Sequence, residues 1–240
     1  MIKIQNLTKK YKDTVAVDSL TLEVNRGELF SLLGVNGAGK TTTIKMLCCL
    51  TPATSGDAFL NGQSICRDAE KVKSIIALSP QETAVAGGLT VKENLQLICG
   101  IYKFTKEETE QKIGRLCSLL GIDSVINKKA RTLSGGYGRR LSIAMALISE
   151  PEILFLDEPT LGLDVIARSE LWDIIKRLKG KITVILTTHY MEEAEALSDR
   201  VGIMKEGRLI ACDGVDGIKR LAGTDSFEEA FISIVKGATK

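Results

Sequence analysis

Residues Gly34-Val35-Asn36-Gly37-Ala38-Gly39-Lys40-Thr41 place three glycines, a lysine and a hydroxyl group within eight positions. This GxxxxGK[ST] spacing suits the triphosphate of a nucleotide, with ATP the expected ligand. A polyphosphate needs several backbone N–H donors at close range, and glycine lets the chain wrap its oxygens without a Cβ in the way. At this spacing Lys40 reaches the β and γ phosphates, and the Thr41 hydroxyl holds Mg²⁺. The loop follows a buried-strand pattern, Leu29 to Leu33, and leads through Thr42 into a helix expected to run to Leu50. That helix begins near Lys40 and points its positive end at the phosphates.

Two further positions bring chemistry to strand ends. The apolar run Ile153 to Leu156 closes on Asp157-Glu158. Asp157 can face the phosphate loop and hold Mg²⁺ through water, whereas Glu158 points elsewhere and is a candidate general base for an attacking water. His189 is the single histidine of the chain and follows Ile182 to Leu186 and Thr187-Thr188. Ligands gather at such strand ends in α/β sheets, which makes His189 a candidate γ-phosphate contact.

The elements that must carry these residues are legible as short Ile/Leu/Val runs. Leu29 to Leu33, Ile75 to Leu78, Ile153 to Leu156, Ile182 to Leu186 and Val201 to Met204 alternate with longer helical patterns. Near-continuous apolar strands are those of a parallel sheet covered on both faces, so the fold class is α/β. Ile2 to Leu7, Ser19 to Val24 and Asp57 to Leu60 alternate apolar and polar residues, as half-buried antiparallel strands do. Lys205-Glu206-Gly207-Arg208 reads as the turn of a late hairpin joining Val201–Met204 to Leu209–Cys212. From about residue 82 to 149 the pattern is helical over Val91 to Tyr102, Lys106 to Leu120 and Gly136 to Ser149. This block is expected as an insertion within one domain spanning 1–240, with a helical tail over about 214–237.

Taken in order, these features resemble the nucleotide-binding domain of ATP-binding cassette (ABC) proteins over about Ile2 to Cys212. The resemblance rests on Leu133-Ser134-Gly135-Gly136, the acidic strand about twenty residues later, Gln81, Leu163-Asp164 and His189. It implies an ABC-type P-loop NTPase with a mostly parallel core sheet, an N-terminal antiparallel β subdomain and an inserted helical subdomain. It implies that Tyr11 lies against adenine, and that Gln81 touches Mg²⁺ or the attacking water and senses a transport partner. Ser134, Gly135 and Gly136 would contact the γ phosphate held by an opposite subunit, and Asp164 would cross the dimer interface. It further implies ATP hydrolysis between two head-to-tail cassettes, as a homodimer, driving a separate integral membrane protein. Tyr137 stands where the family usually has glutamine, and altered contacts at that interface are expected from its longer, rigid ring.

Composition sets the remaining bounds. With 32 basic and 30 acidic residues the net charge is +2, and aromatics are 5%, a balance that argues against a nucleic-acid partner. Cysteines at 48, 49, 66, 99, 117 and 212 show no two-residue gap and read as buried small apolar residues in a reducing compartment. No apolar run approaches the ~18 residues of a membrane span. The resemblance to transporter subunits then implies a peripheral location at the cytoplasmic face of a membrane, with the partner contacted through residues near Gln81 to Tyr102. Ser226 and Glu229 have capping-box spacing before Phe227 and Phe231 share a helix face, and this tail resembles those of exporter ATPase subunits.

Overall fold

A computed structural model describes residues 1–237; residues 238–240, the end of the expected domain range, lie outside the described residues. Strands β1 (Ile2–Tyr11), β2 (Thr14–Val24), β4 (Ser55–Leu60) and β5 (Gln63–Ser64) form an antiparallel sheet in the order β2-β1-β4-β5. Strands β3 (Leu29–Leu33), β6 (Ile76–Ser79), β7 (Ile153–Asp157), β8 (Thr183–Thr188), β9 (Arg200–Lys205) and β10 (Arg208–Asp213) form a second sheet, ordered β10-β9-β3-β8-β7-β6. It is parallel throughout except for the β9–β10 hairpin at its edge. The expected apolar runs are these strands, with Ile75 ending the preceding helix α2 (Ala69–Ile75).

β1 and β2 run longer than their alternation suggests. Their pairing shifts register between Ile4 and Leu7, Leu7 and Lys9, and Lys9 and Lys10, and Asn6 and Ser19 adopt positive φ. Each bulge swaps the face that side chains address, which erases the period-two pattern without ending the ladder.

Helix α1 (Lys40–Leu47) stops three residues short of the expected Leu50, because Cys49 turns left-handed at φ 54°. Helices α3 (Val91–Ile101) and α4 (Lys106–Leu120) both start on complete capping boxes, Thr90 with Glu93 and Thr105 with Glu108. Helices α5 (Gly135–Leu147), α6 (Val165–Lys176), α7 (Met191–Leu197), α8 (Val215–Ala222) and α9 (Phe227–Gly237) complete the chain.

The parallel sheet divides the core by strand alternation. Leu154 and Leu156 of β7 pack with Leu95, Leu116, Leu141 and Ile143 of the helical block. Ile153 and Phe155 point the other way, joining Phe30 and Leu32 against Ile4, Leu20 and Ile44. A side chain as large as Phe155, wholly buried there, contributes about 2–3 kcal/mol. The helical block thus shares its core with the sheet, and it enters after β6 and leaves before β7, which are paired neighbours. The tail closes a third cluster, in which Phe227 and Phe231 meet Leu33, Ala194 and Ile218.

One expectation fails at the cysteines. Cys48, Cys99 and Cys117 are buried, but Cys49 and Cys212 are half-buried and Cys66 is exposed. Cys66 follows the short β4–β5 hairpin at the surface, where residue type does not decide burial. Burial pushes the Cys117 thiol up to about 11, which keeps it protonated and unreactive.

Candidate nucleotide site

The phosphate loop is pressed into shape by its neighbours. A Cβ on Gly34 would lie 2.5 Å from the Met204 carbonyl oxygen, and one on Gly39 would strike the carbonyl of Ala16. Gly39 also adopts φ 100°, open to glycine at no steric cost. The loop is pinned by Gly34 N to Thr188 O (3.3 Å) and Gly207 N to Ala38 O (3.1 Å). α1 then begins on Gly39 with no side-chain cap and no acidic residue in its first turn, leaving its N–H groups and positive end toward the loop's mouth.

Lys40 is 5% exposed, and its Nζ donates to the carbonyls of Gly34 (2.7 Å) and Val35 (3.3 Å). The same ammonium lies 3.4 Å from Glu158 Oε1. Asp157 Oδ1 accepts from the Thr41 hydroxyl at 3.1 Å and from the Thr187 hydroxyl at 2.5 Å. Thr187 is its register partner on β8, so sheet pairing places that hydroxyl. Glu158 N donates to both O and Oγ1 of Thr187, each at 3.1 Å.

Glu158 does not point away as strand alternation suggests. Its backbone turns to φ 50°, ending the alternation, so both acids address the phosphate loop. A positive φ at a residue with a side chain costs about 1–3 kcal/mol, a strain typical of functional positions. The turn sets Glu158 Oε2 2.5 Å from His189 Nδ1, while Oε1 faces Lys40. His189 lies just past β8 with its ring against Tyr190 at 4.1 Å between centroids.

These groups border a cavity of about 480 Å³, lined by residues 36–42 with Tyr11, Gln81, Glu158 and His189. Asn36, Gly37, Ala38, Gly39, Lys40, Thr41 and Thr42 therefore share one cavity with Gln81, Glu158 and His189. Gly34 lies beneath the loop, and Asp157 reaches the cavity through Thr41. For Mg²⁺ the chain offers a hydroxyl, a carboxylate and an amide, at Thr41, Asp157 and Gln81. Among the described residues no cluster of three His, Cys, Asp or Glu side chains forms an all-protein cage. A sparse oxygen set completed by phosphate and water fits Mg²⁺, which keeps much of its hydration.

Ser134, Gly135, Gly136 and Asp164 are not among the residues lining this cavity. Ser134 caps α5 by accepting from Tyr137 N at 3.5 Å, and Asp164 caps α6 by accepting from Ala167 N at 2.9 Å. The two helix starts touch, since a Cβ on Gly136 would sit 3.0 Å from that of Ala167. Beside them Val165 and Ile166 are 70% and 72% exposed. Tyr137 is half-buried against the helical core, with the Arg140 guanidinium 5.4 Å from its ring centroid.

The structure adds residues that sequence reading missed. Glu193 is 0% exposed on α7, its Oε1 accepting from Thr160 Oγ1 (2.8 Å) and Trp172 Nε1 (3.1 Å). Burial raises its pKa, the nearby Glu158 charge adds to this, and hydrogen bonds from Thr188, Thr160 and Trp172 oppose it. Its signal was present: Glu193 lies four residues before Leu197, on the apolar face of its helix. Arg139 is the second, buried on α5 and four residues before Ile143.

Comparison with known proteins extends the picture. The family model described as ABC transporter matches residues 17–161. The probable multidrug ABC transporter ATP-binding protein YbhF of Escherichia coli (strain K12) is 39% identical over 98% of this chain, which spans 42% of YbhF. The linearmycin resistance ATP-binding protein LnrL of Bacillus subtilis (strain 168) is 36% identical, with 99% of this chain and 77% of LnrL covered. Among solved structures, a dimeric post-hydrolysis state of the ATP-binding cassette MJ0796 bound to ADP and Pi superimposes with a TM-score of 0.80 at 27% identity. That match covers 89% of this chain and 98% of the cassette.

Proposed function

Because the chain belongs to the ABC transporter family and carries its ATPase cassette, we propose that it powers export by a separate membrane protein, working as one of two cassettes that sandwich ATP. The observation that carries this reading is the division of the site. Lys40, Glu158 and His189 meet around the phosphate-loop cavity, whereas the Ser134–Gly136 turn lies outside it. A second copy of the chain, packed head to tail, would bring that turn to the nucleotide.

In this reading residues 36–42 bind the triphosphate and Tyr11, exposed at the cavity rim, takes the adenine. Glu158 is the general base that accepts a proton from the attacking water, and His189 holds its carboxylate in place. Lys40 balances charge on the β and γ phosphates. Thr41, Asp157 and Gln81 would hold Mg²⁺, which neutralises phosphate charge when bound. Closing of the dimer excludes bulk water and strengthens each of these interactions.

A groove of about 410 Å³ between α1, β6 and the helical block supports docking of the membrane partner near Gln81 to Tyr102. Leu50, Ile101 and Tyr102 stand exposed around it, and apolar groups at a rim commonly mark a protein contact. No helix of the described residues is long and apolar enough to cross a membrane, so the conduit would be another polypeptide or another part of one. The cassette, read as one domain over 1–240, would then sit peripherally at the membrane. The multidrug and linearmycin-resistance names of YbhF and LnrL favour export.

Glu158→Gln tests the core of this reading. The variant is expected to bind ATP, to lose turnover on the order of 10²–10³-fold and to accumulate as a dimer in sedimentation. Turnover at the wild-type rate would remove Glu158 as the base.

A further inference from the structure

Arg139 is 5% exposed, yet among the described residues no carboxylate lies within ion-pair distance of its guanidinium. An arginine cannot shed its charge on burial, so its N–H groups must find acceptors. They find two adjacent backbone carbonyls: Nη1 donates to Pro80 O and Nη2 to Gln81 O, each at 2.6 Å. Burial disfavours the charge, and the field of Asp157 acts the other way, which helps a cation to be tolerated here. One helical turn on, the Ser142 and Ser79 hydroxyls are 2.9 Å apart in a buried hydrogen bond. Residues 139 and 142 share a face of α5 at i, i+3 spacing. That face therefore grips three consecutive residues, 79 to 81, where β6 gives way to the loop carrying Gln81.

We propose that Arg139 is a positioning residue for Gln81, holding its backbone so that the amide side chain stays at the phosphate cavity. The same fork makes the Gln81 loop and the helix that begins at the Ser134–Gly136 turn a single mechanical unit. A displacement of the loop by a partner in the neighbouring groove is then carried by α5 to that turn. This inference rests on the nucleotide reading above, in which Gln81 serves the bound phosphate.

The purified full chain tests it with Arg139→Met, which keeps length and apolar packing, and Arg139→Lys, which keeps a donor but loses the fork. Arg139→Met is expected to lower kcat for ATP about tenfold while KM changes less than about twofold, with partial recovery in Arg139→Lys. In a Gln81→Ala background the same Arg139→Met substitution should cost less than about twofold, because its target is already gone. Losses that multiply in the double variant would overturn the positioning role. Hydrogen exchange of the amides in 79–85 gives a readout independent of turnover. Faster exchange in Arg139→Met, restored in part by Arg139→Lys, supports the latch, and unchanged exchange overturns it. A wild-type chain that turned over no ATP would sink the hydrolytic reading alone, with exchange still deciding the latch.

Discussion

The phosphate-loop cavity and the joined starts of α5 and α6 are both built on helix N-termini, yet they are finished differently. In the cavity the charged groups answer one another: Lys40 faces Glu158, Glu158 faces His189, and Asp157 is held by Thr41 and Thr187. At the α5–α6 surface, Ser134 and Asp164 serve only as caps, and Val165 and Ile166 project toward solvent. The first region gathers its charged groups around one cavity within the chain. The second leaves apolar side chains at the surface beside two capped helix starts, and on the reading proposed above the difference would make binding and efficient turnover depend on separate surfaces.

Removing the cation from the first region should have the largest effect. Lys40→Met is expected to reduce ATP turnover on the order of 10²–10³-fold and to weaken nucleotide binding by the single chain, read by fluorescence titration. Ser134→Ala should act on the other region only. It deletes a cap worth about 1 kcal/mol and a donor to a partner's nucleotide, so ATP-driven dimerisation weakens by about tenfold while single-chain affinity stays within about twofold. If Ser134→Ala lowered single-chain affinity as much as dimerisation, the contrast between the two regions would be broken.

The smallest effect concerns the buried acid that ties the regions together, since Glu193 joins Thr160, beyond Glu158, to Trp172 on α6. Its pKa is raised in the fold, so the folded chain retains a proton that the unfolded chain releases. The associated stability is fully present below the ordinary glutamic acid range and is lost as pH rises toward the folded value. Glu193→Gln imitates the protonated carboxyl and does not titrate. Its melting temperature relative to wild type should therefore climb as pH rises from acid to neutral, each kcal/mol moving Tm by about 2–4 °C. A difference that stayed flat with pH would mean that Glu193 is ionised in the fold.

Features encoded by local spacing were legible in the sequence: the phosphate loop, the apolar strands, and the Ser226–Glu229 spacing that precedes α9. Others depend on contacts distant in sequence or on a single torsion. The bulges at Ile4 to Lys10 hid the full length of β1, because they reset the alternation that reveals a strand. The φ of 50° at Glu158 turned a residue expected to face away toward Lys40, and no pattern of residue types announces such a torsion. Arg139 stands beside Arg140 with no local sign of its role, because its targets Pro80 and Gln81 lie nearly sixty positions earlier. The acid at 193 was readable from its helical face, although charged type pointed to the surface.

Residues 80 to 152 depart from β6 and return on β7, its immediate parallel neighbour. The sheet closes across those two strands whatever path the chain takes between them, so their register is indifferent to the length of the excursion. On the proposed reading, the outer surface of the helical block, away from the α5 face that holds residues 79 to 81, is the part that could be lengthened or recut for a different conduit while the strand ends keep their places.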